Sequence, residues 1–182
     1  KKEYNFLKVK FQLTPISNGQ IQFFRLRPNN FPTIRLSQLA MVYHRHQNLF
    51  SKIIETETIK DFYELFDTTT STYWETHYTF ETASKKSVKK ITKPFIDLLL
   101  INTIIPMKFL YLRHLGKNDL SSALTIIAQI KPEKNAIISK FNELNIKSNS
   151  AFETQALLQL KNEYCNEQLC LNCAVGKELI KG

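Results

Sequence analysis

The chain has 182 residues, of which 43% are hydrophobic, which is enough for a packed core and excludes a disordered chain. Only four glycines and six prolines are present, too few turn residues for a sandwich or barrel of many short strands. The formal net charge of +9 favours an anionic partner. We therefore expect one mainly α-helical domain over residues 1–182, with a short β-hairpin over about 5–27 followed by a multi-helix bundle or array over about 32–182.

The charge is unevenly distributed along the chain. Residues 1–50 contain eight Lys or Arg residues and one acid, and residues 85–93 contain five lysines and no acid. Residues 51–84 contain two basic residues against seven acids, and residues 94–182 contain ten against eight. We expect the acidic block to offset part of the first basic block.

The first 27 residues have the pattern of a β-hairpin. Apolar and polar residues alternate over 7–13, as on a strand with one apolar face. Residues 17–19 are Ser-Asn-Gly, which is turn chemistry, and residues 21–27 are predicted to be extended again. The second strand would place arginines on one of its sides.

Two prolines mark the passage from this extended segment to a helix. Pro28 disfavours helical backbone at Arg27, and Pro32 suits the first turn of a helix, where its missing N–H has no intrahelical partner. Together with the positive end of the helix dipole, Arg25, Arg27 and Arg35 form a candidate site for a phosphate or carboxylate. The alternative is that these arginines pair with carboxylates of the same chain and hold the corner together.

The densest aromatic cluster is the segment 73–80. Tyr73 and Trp74 would stack on nucleobases if exposed, and would cover a neighbouring element if buried. Glu75 and His77 either act in acid–base chemistry or meet the corner arginines, and the sequence leaves both alternatives open.

A lysine run follows over residues 85–93, with little apolar periodicity, as is typical of a solvated loop. Beside the arginine corner, Lys85, Lys86, Lys89 and Lys90 would extend a phosphate-binding surface.

The most apolar run, residues 95–112, contains Asp97, Asn102, Pro106 and Lys108. A membrane span rarely tolerates this set, so we expect a buried central helix with a kink at Pro106 and no membrane partner. With no secretory signal in the sequence, the three cysteines indicate a reducing, cytoplasmic location.

Near the end, Cys165, Cys170 and Cys173 have the spacing C-x4-C-x2-C. Three thiolates at this spacing can converge on zinc or, less favoured because a fourth cysteine is missing, on an iron–sulfur cluster. A closed zinc site would need one histidine, taken from His44, His46, His77 or His114. Alternatively, the cysteines are small apolar side chains that pack a terminal helix.

Five segments, taken in order, carry a resemblance to a known family: Phe24–Arg35, Tyr73–Phe80, Leu100–Pro106, Gln155–Lys161 and Glu163–Gly176. They resemble the bacterial domain-of-unknown-function family 2851, over nearly the whole chain. The resemblance implies that the chain corresponds to the C-terminal half of that family. It also implies an N-terminal half with an acidic pattern similar to the metal-binding core of restriction-type nucleases, but no established activity.

These patterns predict an accessory domain that binds DNA or RNA phosphates, beside a nuclease-like N-terminal half of the same protein. The alternative is a structural or oligomerisation domain with an internally paired arginine corner. An enzyme built around Arg25, Glu75 and His77 is the least favoured reading, because no nucleophile–base pair or Gly-rich phosphate loop stands out. Since the chain begins with Lys1 rather than Met, we expect a fragment whose function is shared with a preceding part.

Overall fold

The computed structural model describes residues 2–16, 21–117 and 121–181. The chain groups into two compact units. The first, Lys1–Gln47 with Thr68–Lys90, contains twelve Lys or Arg residues and three acids, and is called the basic unit below. The second, Asn48–Asp67 with Ile91–Gly182, contains thirteen of each and is called the neutral unit. The single domain over 1–182 stays a prediction.

The described residues of the basic unit form two α-helices and two short 3-10 helices. They are α1 (Lys2–Lys10), the 3-10 helix Pro28–Asn30, α2 (Pro32–Arg45) and the 3-10 helix Thr72–Glu75. The predicted β-hairpin is wrong, because the described residues contain no β-strand. Isolated bridges alone are present, joining Thr69 to Lys90 and His77 to Ala83.

The failure of the hairpin prediction has a physical cause. An alternating apolar face stabilises a strand only when a partner strand and a core lie beside it. Residues 21–27 supply no such partner, since the chain turns at Phe24 and Arg25, and no residue of α1 is buried. Without that pairing, the lysines, glutamate and leucine of residues 2–10 favour a helix. The predicted turn at 17–19 lies outside the described residues.

Helix α2 begins at Pro32, as predicted from its place in the first turn. Its buried residues are Ile34, Gln38 and Val42. The Gln38 side-chain amide donates to the backbone carbonyl of Lys89 at 3.1 Å, so this buried polar group is satisfied. The hydrogen bond ties the lysine run to α2 within the basic unit.

The neutral unit consists of helices, so the mainly α-helical class is confirmed. Its α-helices are α3 (Leu49–Glu55), α4 (Ile59–Leu65), α5 (Lys93–Leu99), α6 (Ile105–His114), α7 (Ser121–Gln129), α8 (Ala136–Glu143), α9 (Ala151–Gln159) and α10 (Ala174–Lys181). The other helical segments among its described residues are two π segments, Leu100–Ile104 and Leu160–Cys165, and the 3-10 helix Cys170–Asn172. Its core includes Ile53, Phe62, Ile96, Leu100, Ile126, Ile138 and Ala151.

Helix starts in the neutral unit follow capping chemistry. The sequence predicts one helix start at Thr58 and another at Ser148 or Ser150. Thr58 caps α4 and Ser150 caps α9, each side-chain oxygen accepting from the backbone N–H three residues on, at 3.1 and 3.3 Å. The sequence also predicts a helix start at Pro132, but helix α8 begins at Ala136, because Asn135 supplies the cap. The side-chain acceptor of Asn135 therefore determines where α8 begins, and Pro132 does not.

Helices α5 and α6 are joined by the π segment into one continuous helix, Lys93–His114, which is long and apolar enough to cross a membrane by length and composition. It is the one such helix in the described part of the chain, and a third of its most apolar window is buried. Before Pro106, the Ile105 N–H bonds to the Leu100 carbonyl, five residues back. The π turn accommodates the missing N–H and the bulk of the proline ring. Asn102 is exposed and donates to the Leu98 carbonyl at 3.0 Å.

The Tyr63 hydroxyl of α4 donates to Asp97 of α5 at 2.6 Å. Burial, together with this hydrogen bond and the charge of Asp97, raises the pKa of Tyr63 well above its usual value of about 10. The unfolded chain therefore loses this proton first as the pH rises above about 10, and the folded state loses stability over that range.

Replacing Tyr63 by phenylalanine is expected to lower the free energy of unfolding at pH 7 by about 1 kcal/mol, because a half-buried hydrogen bond to a carboxylate is lost. The same variant should lose less stability than wild type between pH 9.5 and 11, as urea unfolding at each pH would measure. Tyr111→Phe is the matched control, since Tyr111 makes a ring contact with Phe50 in the same unit. A Tyr63→Phe variant with the wild-type alkaline slope would contradict the assigned pKa direction.

Candidate nucleic-acid interface

Arg25 and Arg27 lie on the exposed surface of the basic unit. The backbone of Arg25 has a φ of +62°, and its guanidinium carbon lies 5.2 Å from the centroid of the Phe24 ring. Few residues other than glycine adopt this left-handed conformation, which here turns the chain ahead of the two prolines. Arg27 directly precedes the 3-10 helix, and its carbonyl accepts from the Asn30 N–H at 2.8 Å. The turn therefore presents two exposed cations, separated by one residue.

Arg35 has a different environment, half-buried on α2. Its guanidinium donates to the side-chain oxygens of Gln38 at 2.8 Å and of Asn30 at 2.5 Å. Burial lowers the pKa of Arg35 from its usual value. Because Gln38 also donates to the carbonyl of Lys89, Arg35 belongs to an internal network that holds the corner.

The lysine run is divided between the surface and the interior. Lys85, Lys86 and Lys90 are exposed, whereas Lys89 is buried. Lys86 forms a surface ion pair with Glu75 at 3.3 Å, an arrangement that contributes little stability. The backbone of Lys90 forms the isolated bridge to Thr69. Three of the four lysines predicted to bind anions are therefore accessible.

Lys89 is surrounded by backbone carbonyls. Its Nζ donates to the carbonyl oxygens of Trp74 at 2.5 Å, Glu75 at 3.1 Å and Ser87 at 3.5 Å. It also lies 4.2 Å from the centroid of the Tyr78 ring. Two of these carbonyls end the 3-10 helix Thr72–Glu75, where a cation satisfies acceptors that have no helical partner. Lys89 is placed to brace the aromatic segment.

Of the two residues of the aromatic segment that are predicted to stack on bases, Tyr73 is exposed and Trp74 is buried. Tyr73 stacks on the ring of His77, with centroids 4.1 Å apart and planes 8° apart, and its hydroxyl donates to the Phe80 carbonyl at 2.6 Å. Nδ1 of His77 lies 3.0 Å from the Tyr73 carbonyl. Trp74 is 9% exposed. One face of Tyr73 is thus already covered, and the base-stacking roles of Tyr73 and Trp74 stay predictions.

A groove of about 460 Å³ lies in the basic unit. It is lined by Ile16, Ile21, Phe23, Thr33, Leu36, Ser37, Trp74 and Phe80. Sequence reasoning included Trp74 but missed the other two aromatic residues, Phe23 and Phe80. Both belong to segments singled out for other reasons, and only the fold shows that they share one groove.

The two units differ sharply in charge. All nine net positive charges of the chain fall in the basic unit, whereas the neutral unit has a net charge of zero. Five of the seven acids in the block 51–84 belong to the neutral unit, so they do not reduce the net charge of the basic unit. The basic unit therefore has the composition of a surface for polyanions.

A family model described as a protein of unknown function, DUF2851, matches residues 1–136. The chain belongs to this family. The resemblance stated from the sequence is thereby confirmed, and the DUF2851 match contains three of the five segments that carried it. The segments at 155–161 and 163–176 lie beyond the matched residues. A search of curated proteins and a search of solved structures each found no match.

The cysteines lie outside the DUF2851 match, in the neutral unit. Cys165 and Cys170 are exposed and Cys173 is buried. Over the described ranges, no group of three or more His, Cys, Asp or Glu side chains could hold a metal ion. The glycine at position 176 has a structural explanation, because a Cβ there would collide with the Cys170 carbonyl oxygen. Glycine permits this close approach of α10 to the 3-10 helix before it.

Proposed function

We propose that the basic unit binds the phosphates of DNA or RNA through Arg25, Arg27, Lys85 and Lys86. The observation that carries this proposal is the separation of charge between the units. Nucleic acid is the common cellular polyanion, and its affinity for proteins is dominated by phosphate neutralisation. A unit with twelve cationic residues against three acids has the charge that such binding requires.

The cations of the basic unit differ in exposure, which supports a binding role for some of them and a structural role for others. Arg25, Arg27 and Lys85 are exposed, and Lys86 meets Glu75 only in a surface ion pair, for which a phosphate can compete. Each exposed cation that neutralises a phosphate releases a counterion from the nucleic acid, and this release favours binding. The arginines add planar donor groups that match phosphate oxygens in pairs.

Three residues of the predicted set remain, Arg35, Lys89 and the exposed Lys90, and a structural role is favoured for Arg35 and Lys89. Both make hydrogen bonds inside the basic unit, and the Gln38 side chain links them. They hold the corner and the lysine run in place, so that the exposed cations lie on a defined surface. The structural alternative therefore applies to these residues rather than to the whole unit.

Replacing Arg25 and Arg27 together by glutamine is expected to weaken binding to a labelled oligonucleotide about tenfold at low salt, because two phosphate contacts are lost. Fluorescence anisotropy measures the affinity, and circular dichroism should show an unchanged melting temperature, since both side chains are exposed.

The matched control is Lys131→Gln/Lys134→Gln, which removes the same two charges from exposed positions in the neutral unit. It should bind nearly as tightly as wild type. Equal loss in the two variants would show that net charge alone governs binding. Absence of binding to any oligonucleotide at low salt would contradict the proposed function.

A further inference from the structure

The groove of the basic unit has a size and lining suited to a small planar ligand. Its volume of about 460 Å³ lies within the range of ordinary ligand pockets, and none of the described residues that line it is charged. A duplex, with its bases stacked and paired, cannot place a base in such a groove. A single unstacked base can enter it.

Three aromatic rings supply stacking surfaces in this groove. Trp74 and Phe80 lie 5.2 Å apart between centroids, with their planes inclined by 63°. Phe23 packs edge-on against Phe31 at 5.0 Å, which fixes its ring. Phe80 is 72% exposed, although its carbonyl is held by the Tyr73 hydroxyl. An exposed ring on a fixed backbone presents a face that a base can cover.

Two hydroxyl groups add polar contacts to the apolar wall. Thr33 and Ser37 lie one turn apart on α2, and both line the groove. The Thr33 hydroxyl donates to the Tyr78 carbonyl at 2.5 Å, which leaves its oxygen able to accept a further hydrogen bond. Ser37 can both donate and accept and Thr33 can accept, so this pair tolerates the edges of different bases.

Charge complementarity identifies the occupant among planar aromatic ligands. The groove belongs to the unit that holds all nine net positive charges of the chain. Among these cations, the exposed Arg25 is two positions from Phe23 in the sequence. Apolar aromatic lining within a cationic surface is the pattern of proteins that bind single-stranded nucleic acid.

We propose that this groove accepts an unstacked nucleobase, so that the basic unit binds single-stranded DNA or RNA in preference to duplex. The inference rests on the proposed function, since phosphate binding holds the strand while the groove takes a base. Phe80 is the ring most exposed to the strand, and Trp74 forms the buried wall of the groove.

The test compares a labelled single-stranded oligonucleotide of mixed sequence with the duplex of the same sequence, at one salt concentration and with the full chain. Wild type is expected to bind the single strand at least tenfold more tightly. Phe80→Ala should weaken single-strand binding about tenfold, the usual loss when one stacked base loses its aromatic partner, and leave duplex binding unchanged. Phe152→Ala, at a half-exposed phenylalanine of the neutral unit, is the control and should change neither.

The outcomes separate the two proposals. Equal affinity for single strand and duplex, with no effect of Phe80→Ala, would overturn the base-binding groove and leave phosphate binding intact. A lack of binding to both forms at low salt would overturn the proposed function itself. Because Phe80 is largely exposed, its replacement should leave the melting temperature unchanged, which circular dichroism would verify.

Discussion

Replacing Lys108 by methionine is expected to lower the free energy of unfolding by about 3 kcal/mol, because buried carbonyls lose their donor. Lys108 is 1% exposed, and its Nζ donates to the carbonyl oxygens of Ile53 at 3.2 Å, Ile54 at 2.7 Å and Thr56 at 2.6 Å. These carbonyls lie at the end of α3, where the helix itself supplies no partner. The cation also meets the negative end of the helix dipole.

Methionine preserves the length and most of the volume of the lysine side chain, so the loss reports the hydrogen bonds rather than a cavity. Far-UV circular dichroism in a urea titration would measure this loss, because helices make up most of the neutral unit. Lys140→Met, at an exposed position on α8, should change stability by less than about 0.5 kcal/mol. If Lys108→Met were as stable as this control, the conclusion that Lys108 stabilises the end of α3 through its hydrogen bonds would be wrong.

Burial lowers the pKa of Lys108, and the charge of Glu57 acts in the opposite direction. The folded state therefore holds this proton less tightly than the unfolded chain does. Taken alone, the group should make the protein more stable as the pH rises from the lowered pKa toward the usual value of about 10.4. The three hydrogen bonds of Lys108 therefore offset only part of the cost of burying its charge.

The second large effect is expected at Lys89, whose replacement by methionine should destabilise the basic unit by about 2 to 3 kcal/mol. Three backbone carbonyls and the Tyr78 ring would lose the same cation. Trp74 is the one tryptophan of the chain, and its carbonyl accepts from Lys89. Its fluorescence in a urea titration therefore reports directly on this site.

Lys85→Met is the control for this experiment, because Lys85 is exposed four residues earlier. It should unfold like wild type and bind nucleic acid more weakly. Lys89→Met should unfold more easily than wild type. At a temperature where it is still folded, it should bind nucleic acid with wild-type affinity. Loss of affinity without loss of stability in Lys89→Met would show that Lys89 contacts the ligand, against its buried position.

The sequence predicted the helical class and several helix starts because these depend on neighbouring residues. Pro32, Thr58 and Ser150 each act within one turn of the chain, and the structure confirms all three. The hairpin failed because a strand needs a partner strand, and the alternation over residues 7–13 contains no information about that partner.

The candidate site was harder to predict than the helices, because burial is a property of the fold. Lys85 and Lys89 belong to one lysine run, yet the first is exposed and the second is buried among carbonyls. The buried residues of α2 include Gln38, which an apolar pattern cannot identify. Counting charges along the sequence does not show that the two units differ in net charge, because the basic unit is assembled from two separate segments.

The most direct test of phosphate binding by the basic unit is the salt dependence of oligonucleotide binding, measured for wild type and Arg25→Gln/Arg27→Gln. Each phosphate neutralised contributes a slope of about −0.7 for a single strand in a plot of log affinity against log salt concentration. Four cations therefore predict a wild-type slope of about −3, and the variant should be shallower by about 1.4. A wild-type slope near zero, or one that the double substitution leaves unchanged, would contradict phosphate binding at this surface.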